Sequence, residues 1–262
     1  MDDNGKIFDR AAYRIRRARA AATWPQYDFL KHEAAERLGE CLDDLARTFP
    51  VALDLGCHAG EVKDMLAARS GTQRIVSCDL SRRFAPQIVC DEELLPFAEN
   101  TFDLAVSALS LHHVNDLPGA LIQIRRALKP GGLFLAILPG ANTLKELRLC
   151  VIHASAEQGF ALSPRISPFV EVRDAGALLV RAGFTLPVAD SDTLEVRYTD
   201  AFKLMNDLRG MGESNVLEAR QRSLTPRGQL AAIAEYYQSH FVAQDGTLPA
   251  TFEFITMTGW KP

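Results

Sequence analysis

Three carboxylates stand at the ends of three successive apolar runs. Asp54 follows Val51-Ala52-Leu53, Asp79 follows Ile75-Val76-Ser77-Cys78, and Asp91 follows Gln87-Ile88-Val89-Cys90. If these runs are parallel strands, their carboxyl ends meet at one crevice, where open α/β sheets hold ligands. An acid beyond the second strand can accept hydrogen bonds from two ribose hydroxyls, and one beyond the third can accept from an adenine amine. Asp54 can brace its own turn or receive a ligand ammonium. In Asp54-Leu55-Gly56-Cys57-His58-Ala59-Gly60 the glycines let backbone approach a ligand where a Cβ would collide. The plainer reading of Asp79 and Asp91 is that they cap the segments after them.

His112 and His113 lie in Ser110-Leu111-His112-His113-Val114-Asn115-Asp116, beyond a fourth apolar run. They are the candidate catalytic pair: one can orient a substrate or take its proton near neutral pH. Ordinary loop hydrogen bonding is the rival reading. Cys57, Cys78 and Cys90 read as small buried hydrophobes, because no general base is spaced to activate them. The five cysteines include no CxxC pair, and adjacent histidines do not by themselves make a two-His-one-carboxylate set. No metal is therefore expected.

The elements that must carry these groups alternate. Strands are expected at 51–53, 75–78, 87–90, 102–107 and 133–138, with a helix from Pro118 to Leu128 ended by Pro130-Gly131-Gly132. Near-continuous apolar strands separated by helices predict a doubly wound, mostly parallel α/β sheet covered on both faces. Upstream, Leu30, Ala34, Leu38, Leu42 and Leu45 fall at helical spacing. Downstream, helices are expected over 143–157, 172–182, 200–208 and 226–240, with a loop over 159–168 and another over 210–215. A sixth strand is expected at 184–188, 194–198 could extend the sheet, and a last strand spans 251–257. One domain of 262 residues results, with an N-terminal arm and helix over 1–48 and a helical insertion or lid over 198–249.

The 29 Lys and Arg against 33 Asp and Glu give a formal charge of -4, which provides no broad basic field for nucleic acid. No apolar run is long enough to span a bilayer and no secretory leader is evident, so a cytoplasmic protein with reduced thiols is expected. Arg10, Arg14, Arg16, Arg17 and Arg19 crowd the start. They read as a solvated helical N-terminus, or as an arm for an acidic partner or anionic lipid.

Asp54 to Gly60, Asp79, Asp91 to Phe97, Phe102-Asp103-Leu104 and Leu128-Lys129-Pro130-Gly131-Gly132 resemble the successive motifs of class I S-adenosylmethionine-dependent methyltransferases. Over nearly the whole chain, Ile7-Phe8-Asp9-Arg10, Ser107 to Pro118, Ser163 to Phe169, Met205 to Asn215 and Thr258-Gly259-Trp260-Lys261 resemble the respiratory complex I assembly factor 5 family and its bacterial counterparts. The resemblance implies a seven-stranded sheet with an antiparallel last strand. It also implies S-adenosylmethionine as cofactor, its methionyl part cradled by Asp54, Gly56 and Gly60, its ribose on Asp79, and its adenine on Asp91 flanked by Glu92. His58 and Ser107 fall in the same expected cofactor-binding set.

Two features depart from the family pattern. His58 stands where the turn usually has glycine, and only the 11 residues Leu80 through Cys90 separate Asp79 from Asp91, too few for a full crossover helix. Three functions follow: methyl transfer to an unidentified acceptor, arginine hydroxylation or assembly of a complex I subunit, and noncatalytic binding at a degenerate site.

Overall fold

The computed structural model describes residues 5–69, 71–157 and 164–262. Ser163 and the first part of the expected 159–168 loop lie outside them. The strands are β1 Val51–Leu55, β2 Arg74–Asp79, β3 Ile88–Val89, β4 Phe102–Ala108, β5 Leu128–Pro139, β6 Thr185–Tyr198 and β7 Leu248–Trp260. They form one seven-stranded sheet in the order β3-β2-β1-β4-β5-β7-β6. Neighbours from β3 to β5 run parallel, and β7 runs antiparallel to both β5 and β6. This is the expected class I methyltransferase architecture.

Side-chain alternation along β5 shows why both faces are covered. Leu133, Leu135 and Ile137 join a cluster with Ala34 and Leu38 of α2 (Phe29–Asp43), whereas Phe134, Ala136 and Leu138 join one with Leu121 and Ile124 of α4 (Leu117–Ala127). A central strand buried on both sides has to be apolar at every position. The second cluster also takes Ala175 and Leu179 of α6 (Val172–Arg181). The first takes Leu147 and Cys150 of α5 (Lys145–Glu157), Leu204 of α7 (Ala201–Gly210), and Ile233 and Tyr237 of α8 (Arg227–Phe241). Asp200 caps α7 by accepting from the Lys203 amide.

Three expectations change. Pro130-Gly131-Gly132 does not stop the chain before β5: Phe102 pairs with Leu128 and Leu104 with Leu133, so residues 129–132 bulge within the strand, with Gly131 at φ 71°. Segments 184–188 and 194–198 are one continuous edge strand. The N-terminal helix, α1 (Arg10–Ala20), forms with Asp9 as its cap, but it is not solvated: Tyr13, Arg17 and Ala20 are buried. The short second crossover is as expected, a single 3-10 turn Arg82–Phe84 before a two-residue β3.

The start of the chain is tied to the segment after α7. Phe8 bridges Leu217, the Asp9 amide donates to Val216 O (2.8 Å), the Glu218 amide donates to Ile7 O (2.8 Å), and Arg220 pairs with Asp9 (2.7 Å). Arg16 also donates to the Asn215 carbonyl. Among the described residues no helix is long and apolar enough to cross a membrane.

Candidate active site

The turn after β1 carries Gly56, His58 and Gly60 at φ 74°, 48° and 111°. It leads into α3 (Glu61–Ala67). A Cβ on Gly56 would fall 1.9 Å from Ser110 Oγ, so packing against the 108–116 loop, not a ligand, demands glycine there. Gly60 faces more open space. His58 is strained for a non-glycine residue, and its ring is held on several sides. It stacks on Trp24 with centroids 4.5 Å apart and meets Phe84 edge-on. Nδ1 lies 2.9 Å from Gly56 O and Nε2 lies 2.6 Å from Arg17 Nη1. A neutral ring with its proton on Nδ1 satisfies both contacts, donating to the carbonyl and accepting from the guanidinium. Burial, reinforced by the Arg17 charge, pushes His58 well below the usual imidazole range.

Asp79 is saturated by the chain itself. Its carboxylate accepts from Arg17 through Nε (3.1 Å) and Nη2, from the His58 amide (3.0 Å), and from the Ser81 amide (2.8 Å). Both Arg17 and Asp79 are 1% exposed. Burial alone would raise Asp79, but Arg17 and the two amides hold it below the ordinary carboxylate value. Further along, Arg10 bridges Asp91 (2.5 Å) and Glu92, and Glu92 also accepts from Ser110 Oγ (2.9 Å). The acids expected to receive ribose and adenine lie beyond the carboxyl ends of β2 and β3, each paired with an arginine of α1.

Asp54 is different. Both its oxygens are buried without a hydrogen bond of good geometry, and burial raises its pKa to about 7 against the opposing charge of Lys31. Lys31, also buried, donates to Gly56 O (2.8 Å) and Ala108 O (2.6 Å); burial holds its pKa below the ordinary value. An orphaned carboxylate at the end of β1 fits the ammonium of a methionyl group. The donor set thus fits S-adenosylmethionine at its methionyl end. At the adenosyl end the carboxylates have the right chemistry, but Arg17 and Arg10 occupy them. Ser107 is not aimed at the groove: its hydroxyl donates to Leu55 O (2.9 Å) across the β1–β4 pair.

His112 and His113 sit on the 3-10 turn Leu111–His113 and are buried. His112 Nε2 lies 3.0 Å from Glu213 Oε2, and His113 Nε2 lies 3.2 Å from Ser167 Oγ. Burial, with the neighbouring His112 charge, pushes His113 well below the usual range, so it stays neutral. A cavity of about 210 Å³ opens beside them, lined by Trp24, Tyr27, Lys31, His58, His112 and Glu213 among others. The site therefore includes Arg10, Arg17, Lys31, Trp24 and Glu213, none of which motif spacing singles out as a site residue. Only the crowding of arginines near the start signals two of them.

Fold, strand order and acid placement together define a class I methyltransferase, and the chain belongs to that family; S-adenosylmethionine is the cofactor of the class. The Methyltransferase domain family matches residues 53–136. The chain is 40% identical to "Arginine-hydroxylase NDUFAF5, mitochondrial" of Danio rerio, covering 98% of this chain and 83% of that protein. It is 34% identical to "Malonyl-[acyl-carrier protein] O-methyltransferase" of Methylovorus sp. (strain MP688), covering 100% of this chain and 92% of that protein. In fold it resembles the crystal structure of the YcgJ protein of Bacillus subtilis, with TM-score 0.58 and 17% identity over 88% of this chain and 98% of that one.

Proposed function

We propose that this chain transfers a methyl group from S-adenosylmethionine to an oxygen or nitrogen nucleophile, with residues 1–48 as a cover and 198–249 as a lid over the groove. The observation that carries this reading is Asp54, a buried carboxylate at the end of β1 on a methyltransferase fold, neither of whose oxygens has a hydrogen bond of good geometry among the described residues. When bound, the cofactor supplies an electrophilic methyl group on its sulfonium. The chain's contribution is alignment and exclusion of water. Asp54 would hold the ammonium, Asp79 the ribose diol, and Asp91 with Glu92 the adenine end. No base is required of His113, which is buried and neutral, for an acceptor that is already ionised, such as a carboxylate.

The test is calorimetric titration of S-adenosylmethionine, followed by label transfer from the methyl-tritiated cofactor to malonyl-acyl carrier protein, the acceptor in the relative's name. Saturable binding that weakens in Asp54→Asn, with label on the acceptor, supports the reading. Absence of binding even in Arg17→Ala overturns it.

One observation favours a second reading, arginine hydroxylation of a respiratory complex I subunit. The groove already holds a guanidinium: Arg17 is gripped by Asp79 and His58, with the rings of Tyr13 and Phe84 at 5.6 and 5.7 Å. A partner's arginine has the same chemistry. Mass spectrometry that finds one added oxygen on such an arginine, dependent on this chain, supports hydroxylation; a methyl group there returns the assignment to methyl transfer.

A further inference from the structure

His112, His113 and Glu213 come from two distant parts of the chain and converge in one place, the two histidines buried and Glu213 partly so. The 3-10 turn after β4 supplies the histidines, whose ring centroids are 4.2 Å apart. Glu213 is delivered by the turn that ends α7, where Gly212 takes φ 82° and the Glu213 amide donates to Leu208 O (2.8 Å). Glu213 Oε2 lies 3.0 Å from His112 Nε2 and 3.7 Å from His113 Nδ1. One ligating atom from each of the three residues lies within 4.8 Å of the others. Donors about 2.0–2.2 Å from a shared ion are separated by roughly 3–4 Å, so the spacing needs little adjustment.

A second observation is independent of that spacing. Nδ1 of His113 is buried with no hydrogen-bond partner among the described residues; the unpartnered Nδ1 of His112 lies across its ring from the Nε2 that meets Glu213 and adds nothing to this. Orphaned buried ring nitrogens are uncommon in native folds and mark a place where an ion or water belongs. For His113 the orphan is the atom facing Glu213, while the opposite nitrogen meets Ser167 Oγ at 3.2 Å. That is the outer hydrogen bond that fixes the tautomer and orientation of a ligating imidazole.

We propose that His112, His113 and Glu213 bind one divalent first-row transition-metal ion, with its open coordination positions directed to the neighbouring cavity. Two imidazoles and one carboxylate suit iron, cobalt or zinc and do not suit calcium or magnesium, which take oxygen ligands. Three protein ligands leave positions for water or an oxygen-bearing ligand, and His112 and Glu213 both line the cavity from which it would come. The site stands whichever reaction the groove performs. A second group, Asp28, His32 and Glu61, has similar spacing, but the His32 side chain is 57% exposed and Glu61 is already engaged by the Trp24 indole and the Gly60 amide.

The experiment is titration of tag-free protein with Co2+, read by visible absorption and by metal content after dialysis. One tightly held ion per chain with ligand-field bands is expected. Binding should weaken by more than about 100-fold in Glu213→Gln and His112→Asn, since even loss of an outer-shell partner costs 10–100-fold, and should be unchanged in Asp28→Asn. X-ray absorption of the cobalt-loaded wild type should show imidazole scattering, which keeps the proposal testable if a variant misfolds. No saturable uptake, or bands that persist in both folded variants, overturns it.

Discussion

The two ends of the proposed cofactor site are built on opposite principles. At the adenosyl end Asp79, Asp91 and Glu92 are all paired with arginines of α1. At the proposed methionyl end Asp54 makes no hydrogen bond of good geometry among the described residues, with Lys31 as its nearby counter-charge. Buried charges that are paired resist change, because removing one partner strands the other in low dielectric. A buried carboxylate without a hydrogen bond instead keeps its proton to higher pH. One end is closed by arginines hydrogen-bonded to its carboxylates; at the other Lys31 lies near enough to oppose the rise in the Asp54 pKa but donates to Gly56 O and Ala108 O instead.

The sharpest way to break this contrast is Arg17→Ala, which leaves Asp79 buried without its guanidinium. We expect a loss of about 3–5 kcal/mol of stability, the usual cost of stranding a buried charge, measured by urea denaturation. S-adenosylmethionine should bind about 10- to 100-fold tighter, since the competing ion pair is gone. Equal affinity in wild type and variant would mean that α1 does not compete with the cofactor.

Next in size is Asp54→Asn. Affinity for S-adenosylmethionine should fall about 10- to 100-fold, the worth of a hydrogen bond between charged groups, while the denaturation midpoint stays level or rises. A variant that binds normally would move the ammonium site elsewhere.

The same residue makes a pH prediction. Its folded pKa, about 7, lies above its unfolded value, so the folded state binds the extra proton. Stability from this group is present at low pH and lost as pH rises towards and through 7. Cofactor affinity runs the other way, because the ammonium needs the ionised carboxylate. It should rise about tenfold between pH 6 and 8 for a single group titrating near 7, and calorimetry on Asp54→Asn should show a flat profile.

The smallest effect on cofactor affinity is expected for His58→Gly. Relief of the left-handed conformation does not offset the loss of a buried ring packed on Trp24 and Phe84, so stability should fall by about 2–4 kcal/mol. Arg17 loses its imidazole contact, and cofactor affinity should rise modestly, detectable in the same titration.

The sheet was legible in the sequence because its strands are short apolar runs at regular intervals, and because the acids stand at their ends. Where that signal was missing the reading slipped. Asp190, Ser191 and Asp192 look like a break between strands, yet they lie within β6, an edge strand whose outer side chains face solvent. Arg17 looks like surface because nothing near it in sequence can neutralise a buried guanidinium; its partner Asp79 is 62 residues away. Glu213 meets His112 from 101 residues away. Its loop, 210–215, was legible as part of a family pattern but not as a source of ligating atoms. Periodicity reports the burial of apolar faces, whereas the pairing of buried charges is decided by tertiary closure.

The tether between residues 7–9 and 216–220 has one more consequence. The groove-filling helix and the turn that delivers Glu213 are fastened through Asp9, Arg16, Asn215 and Arg220. A ligand that displaced α1 would pull on the segment that carries Glu213. Any coupling free energy between the two places would be reciprocal: what cofactor binding cost the His112–Glu213 contact, that contact would cost cofactor binding by the same factor.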